Sequence, residues 1–212
     1  EVMGLKTYPG IRDIPEPVDY VICAIPAQAT PELIRQCVAA KVKTVCVYTA
    51  GFSEASEDGR SLEREIVQIA RRGGVRLLGP NCLGVHCPKS GLSLDGSIPG
   101  KSGHVGFLGQ SGGVSQLLIQ GLAARGIYIS KLVSFGNAAD IDETDLLEHL
   151  ADDADTRIIG AYIEGIKRPS RFLDMVRQAV KTKPVTILKG GTTSSGSSAI
   201  RLHTGSLAGS RP

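Results

Sequence analysis

No uncharged apolar run in this chain is long enough to span a bilayer, so a membrane partner through a buried helix is not expected. No signal-peptide pattern precedes the first strand-like run, and a cytoplasmic location is the expectation. No basic run with interleaved aromatics occurs. With 24 Lys+Arg against 21 Asp+Glu, a formal net charge of +3, bulk charge gives no reason to expect nucleic acid as a partner. The five cysteines, Cys23, Cys37, Cys46, Cys82 and Cys87, match neither zinc-ligand nor redox Cys-x-x-Cys spacing. No metal site is expected from them, and they read as reduced core thiols. No strand–GxGxxG–helix pattern is present, which weighs against a dinucleotide binder. There is also no internal repeat. What remains is a chain of 212 residues, 42% hydrophobic, enough for two small α/β units.

Short β-branched runs alternate with amphipathic stretches. Val18–Pro26, Val42–Thr49 and Val75–Leu78 read as strands. A helix capped by Thr30 with Pro31 at its first position follows the first, and a helix opening at Ser61 follows the second. From Pro88 to Gly103 the periodicity stops and Pro, Gly, Ser and Lys dominate, as in a connector. The alternation then restarts. Strands are predicted at His104–Leu108, Ile129–Phe135, Arg157–Ile163 and Pro184–Leu188, and helices at Val114–Ala124, Asp142–Leu150 and Ser170–Val180. The predicted fold is α/β, with tandem Rossmann-like and flavodoxin-like parallel sheets flanked by helices, the units covering residues 1–98 and 99–212.

Open parallel sheets bind ligands beyond the carboxyl ends of their strands. In the second unit the first strand runs into Gly109-Gln110-Ser111-Gly112-Gly113 and a helix, a phosphate-cradle pattern of permissive backbone and free helix N-terminal N–H groups. The second ends at Ser134-Phe135-Gly136-Asn137, the third at Ile163-Glu164-Gly165 and the fourth at Lys189-Gly190-Gly191. A low-complexity Gly/Ser/Thr stretch over 190–198 then leads into His203-Thr204-Gly205-Ser206-Leu207-Ala208-Gly209. Phosphate loop, carboxylate and histidine thus follow strand ends on one side of one sheet. That suits an imidazole phosphorylated at one nitrogen while a carboxylate orients the other. His86, His104 and His149 show no ligand spacing.

Gly79-Pro80-Asn81-Cys82-Leu83-Gly84, the Gly109–Gly113 loop, Ser134-Phe135-Gly136-Asn137 and the His203–Gly209 run together resemble the α portion of NDP-forming acyl-CoA synthetases, relatives of succinyl-CoA synthetase. The resemblance runs nearly the whole chain, in order. It implies that His203 is phosphorylated during turnover, that Glu164 orients it, and that Gly109, Gln110, Ser111, Gly112 and Gly113 hold phosphate. It implies further that Ile25, Pro26, Ala27, Ala50, Gly51, Phe52, Pro80 and Asn81 lie in turns lining a CoA site. The family opens with a strand and a Gly-rich CoA-gripping turn and continues beyond the histidine loop, so this chain is expected to be a piece. The implied cofactors are CoA and, on an ATP-grasp domain or β subunit not resembled here, ATP/ADP with Mg2+. A small acid or its acyl-CoA is the implied substrate, and an oligomer the implied assembly. A competing expectation is a CoA-sensing regulatory module of a protein-acetyltransferase fusion.

Overall fold

The computed structural model describes residues 1–93, 96–193 and 196. The first unit carries β1 (Tyr20–Cys23), α1 (Thr30–Ala39), β2 (Thr44–Val47), α2 (Glu57–Arg72) and β3 (Arg76–Leu78). Its strands form a parallel sheet in the order β1-β2-β3, with Cys23 opposite Val47 and Cys46 opposite Leu78. The second unit carries β4 (Gly84–His86), β5 (Val105–Gly109), α3 (Gly112–Ala123), β6 (Ile129–Ser134), α4 (Glu143–Asp152), β7 (Ile158–Ile163), α5 (Pro169–Ala179) and β8 (Val185–Lys189). Its order is β4-β6-β5-β7-β8, parallel except for β4. Among the described residues no helix is long and apolar enough to cross a membrane.

Helices α2, α3 and α4 begin where side-chain caps lie. Ser56 Oγ accepts from Gly59 N at 3.0 Å, with Glu57 and Asp58 in the first turn, so α2 starts at Glu57 rather than at Ser61. Asp142 accepts from the N–H groups of Thr144 and Asp145, as expected. Thr30 is not a cap. A 3-10 turn over Ala27–Ala29 leads straight into α1, and the Thr30 hydroxyl lies against the Cys23 thiol instead. The antiparallel edge strand β4 escaped the periodicity because three residues, Gly-Val-His, show no alternation to read. His86, the last residue of β4, pins the connector by bonding Ser93 Oγ at 2.7 Å and the Pro99 carbonyl at 3.3 Å.

The two units share a core. Cys46, Leu78 and Cys82 pack in one buried cluster with Leu108, Phe135, Leu147 and Ile163. Each fully buried large apolar side chain contributes about 1.5–3 kcal/mol, so the junction is a hydrophobic joint rather than a flexible tether. The loop between β6 and α4 runs alongside the end of β3. Ile141 N donates to Leu77 O, Ala139 N to Gly79 O and Asn137 N to Pro80 O. Four of the five cysteines are buried and all are free, and burial pushes the Cys37 thiol up to about 11.

Candidate functional site

At the end of β5 the chain turns through Gln110 and Ser111 into α3. Ser111 Oγ caps the helix by accepting from Val114 N at 3.4 Å. Among the described residues, no acceptor takes the N–H groups of Ser111, Gly112 or Gly113. They are the free donors that a helix N-terminus offers an anion. Two members of the expected cradle do other work. Gln110 is 1% exposed and its backbone N–H donates to Tyr162 O at 2.9 Å, so it is not a cradle donor. A Cβ on Gly109 would run into the Ser115 hydroxyl, so this glycine serves close packing of strand against helix.

The Gln110 side chain reaches the end of β7. Its Oε1 accepts from Glu164 N at 2.8 Å and Gly165 N at 2.9 Å. Glu164 is 3% exposed. Burial first, and then the neighbouring Glu164 carboxylate, hold the Tyr162 phenol above its ordinary range. From the end of β8, Lys189 Nζ donates to Glu164 O at 2.8 Å and Gly190 O at 2.6 Å. Burial pulls the Lys189 ammonium down, and the Glu164 charge opposes that. Gln110, Tyr162, Glu164 and Lys189 thus form one polar cluster at the carboxyl edge of β5, β7 and β8. His203 lies outside the described residues.

A cleft of about 440 Å³ opens between the units, lined among others by Thr49, Ala50, Asn81, Leu83, Gly112 and Gly113. It brings two of the turns singled out in the first unit against the free helix N-terminus of the second. Asn81 N donates to Thr49 O at 3.0 Å, tying those turns together. Thr49 Oγ1 donates to Ile25 O at 2.7 Å, and at Gly51, whose φ is +105°, an added Cβ would stand 3.4 Å from the Ala27 methyl. Ile25 and Pro26 are exposed and Ala27 is buried, and the Ile25 carbonyl ties this turn to Thr49 at the cleft. Phe52 is fully buried, a core residue beneath its turn, and Pro80 presents its carbonyl to Asn137.

Sequence reasoning passed over Glu54, and it placed Lys189 at the end of its strand without giving it a role, although Lys189 closes an apolar strand as Glu164 does. Glu54 Oε1 accepts from Gly51 N at 2.6 Å and Phe52 N at 3.1 Å and so shapes the turn beside the cleft. A carboxylate two residues past a glycine turn carries no such label in sequence. Among the described residues no group of three or more His, Cys, Asp or Glu could hold a metal ion.

Two family models match the chain: a CoA binding domain over residues 1–88 and a succinyl-CoA ligase like flavodoxin domain over residues 102–212. The chain is 40% identical over 210 residues to the α subunit of acetate–CoA ligase [ADP-forming] II of Pyrococcus furiosus, covering 99% of this chain and 46% of that one. It is 39% identical over 211 residues to acetate–CoA ligase [ADP-forming] I of Archaeoglobus fulgidus, covering 99% and 31%. In structure it is similar to dinucleotide forming acetyl-coenzyme A synthetase 1 of Ca. Korarchaeum cryptofilum, solved with phosphate and ADP. That match has a TM-score of 0.89, 37% identity, and coverage of 99% of this chain and 45% of that one. The chain thus spans less than half the length of these relatives.

Proposed function

The chain belongs to the NDP-forming acyl-CoA synthetases, proteins with a CoA-binding domain followed by a succinyl-CoA ligase-like flavodoxin domain, and from that premise we propose that it is the acyl- and phosphoryl-handling portion of an acid–CoA ligase. The complete enzyme interconverts acyl-CoA, NDP and phosphate with acid, CoA and NTP. The observation that carries this reading is the cleft in which the 49–50 and 81 turns face the free N-terminus of α3.

Residues 1–98 present the thioester, and Ser111, Gly112 and Gly113 hold inorganic phosphate beside it. Phosphate oxygen attacks the acyl carbon and the thiolate of CoA leaves, giving an acyl phosphate. The donors at the helix N-terminus stabilise the charge that gathers on the phosphoryl oxygens. A neutral imidazole of His203 then takes the phosphoryl group and the carboxylate of the acid departs. Glu164 orients the imidazole and stabilises its developing positive charge, while Gln110 and Lys189 fix the backbone that carries Glu164. Phosphohistidine finally passes its phosphoryl group to NDP. The nucleotide and Mg2+ are bound by an ATP-grasp domain or β subunit, in an oligomeric assembly in the cytoplasm. The CoA-sensor alternative is not favoured, since the relatives reported above are ligases.

The test is phosphorylation of the complete enzyme by NTP. The expected product is an acid-labile, base-stable phosphate on His203. His203→Ala should abolish transfer between CoA and NTP while an enzyme-bound acyl phosphate still forms. Label on another residue, with wild-type turnover in His203→Ala, would overturn the reading.

A further inference from the structure

The β6–α4 loop carries a side chain to which the functional reading gives no task. Asn137 is 2% exposed, yet its hydrogen bonds go to polar groups of the first unit. Its Nδ2 lies 2.5 Å from Glu54 Oε2, 2.9 Å from Glu63 Oε2 and 3.2 Å from Ser53 Oγ. Ionised carboxylates only accept hydrogen bonds, so they fix which end of the amide faces them. Two carboxylates converging on one nitrogen would repel each other, and the shared donor offsets that repulsion.

Each bond leads to a turn beside the cleft. Glu54 gives its other oxygen to the N–H groups of Gly51 and Phe52. The Asn137 backbone N–H donates to Pro80 O at 3.0 Å. Gly136, at φ +49°, comes so close that a Cβ would collide with the carbonyls of Pro80 and Asn81. Burial pushes the Glu54 carboxyl up, but the bonds from Asn137, Gly51 and Phe52 outweigh it and hold the group below its ordinary range, hence charged. Asn137 therefore touches both turns through separate groups, from a loop that leaves the strand next to β5.

We propose that Asn137 is a positioning residue of the CoA cleft, holding the 50–52 and 80–81 turns in register with the phosphate-facing N-terminus of α3. The assignment of CoA to this cleft rests on the function proposed above. Asn137 itself touches no reacting group. It acts through Glu54 on one turn and through its own backbone on the other.

The experiment uses the complete enzyme and three readouts: KM for CoA, phosphorylation by NTP in the absence of CoA, and amide exchange at Gly51 and Phe52. Asn137→Asp replaces the shared donor by a third carboxylate. It should raise KM for CoA about tenfold or more, the effect of losing a charge-assisted bond, and speed exchange at both amides. Phosphorylation should stay within about twofold, because it needs no CoA. Adding Glu54→Gln restores a donor–acceptor pair, since the new amide can donate to the carboxylate at 137 while its oxygen still accepts from Gly51 and Phe52. The double variant should recover part of the loss in KM, the remainder reflecting the carboxylate at 137 that still faces Glu63. Asn137→Ser removes the amide without adding charge. It should move KM and exchange in the same direction, and it serves if Asn137→Asp does not fold. Unchanged KM in both single variants, a parallel loss of phosphorylation, or further damage from Glu54→Gln would each overturn the proposal. A wild-type enzyme that neither binds nor turns over CoA would refute the proposed function instead. Exchange at Gly51 and Phe52 would then still decide whether Asn137 orders the turn.

Discussion

Gln110 is a phosphate-loop residue by its place in the chain and a strut by its bonds. Removing its side chain in Gln110→Ala leaves the N–H groups of Glu164 and Gly165 without their acceptor. The expected cost is about 2 kcal/mol or more, measured by urea unfolding, with slower phosphorylation because Glu164 loses its anchor. Gln110→Glu, which keeps an acceptor oxygen, should lose less. Glu164→Gln tests the neighbouring carboxylate with a spectroscopic readout. Burial alone keeps the Tyr162 phenol raised, but the neighbouring Glu164 carboxylate adds to it. Without that charge Tyr162 should titrate at a lower pH in the ultraviolet phenolate signal, though still above a free tyrosine. Phosphorylation by NTP should slow at the same time.

Among the elements, two helical glycines make opposite demands. Alanine usually improves a helix interior over glycine by about 0.8–1 kcal/mol. At Gly121 in α3 an added Cβ would meet only Arg125 Nη1, at 3.8 Å, so Gly121→Ala should stabilise by about 0.5–1 kcal/mol. At Gly59 in α2 it would collide with the carbonyl of Phe52, so Gly59→Ala should destabilise and lower the melting temperature. The first turn of α2 rests against the 51–52 turn, and its helix propensity is subordinate to that approach. The same element shows where periodicity misleads. The apolar positions pointed to a start at Ser61, but the first turn of α2 is acidic and polar, and its cap, Ser56, decides the boundary.

For the whole molecule, an ion-pair network reinforces the shared core. Asp140, with its side chain 5% exposed, takes Arg71 Nε at 3.0 Å, Arg76 Nε at 2.9 Å and Leu77 N at 3.0 Å, and Arg76 also reaches Asp145 at 3.2 Å. Burial pushes the Asp140 carboxyl up, and the Leu77 N–H with the two guanidinium groups outweighs it, leaving the group below the usual carboxylate range. Asp145 is also held down, with Arg171 and Arg168 outweighing burial. In the unfolded chain these groups bind protons more readily. Their stabilisation is therefore complete above about pH 4 and is lost as pH falls through the depressed folded values. Acid titration of the unfolding midpoint should show this loss, and Asp140→Asn should flatten it. At neutral pH the same variant should cost roughly 1–2 kcal/mol, less in high salt because both arginines are half exposed.

The sequence by itself determined the alternation of strands and helices, the two tandem units and the strand ends at which Glu164 and the Ser111–Gly113 turn lie. Those features are written locally, in the spacing of apolar residues, in turn glycines and in caps, and the backbone reads them within a few residues of itself. Tertiary structure alone decided that Gly84–His86 joins the second sheet as an antiparallel edge, and that Gln110 bonds a loop 54 residues away. It also decided that Asn137 meets Glu54 across 83 residues. A hydrogen bond between distant residues leaves no period in the chain. Its partners are chosen only when burial of Cys46, Leu78, Phe135 and Leu147 in one core brings two strand-end loops to the same place and removes the water that would otherwise satisfy them.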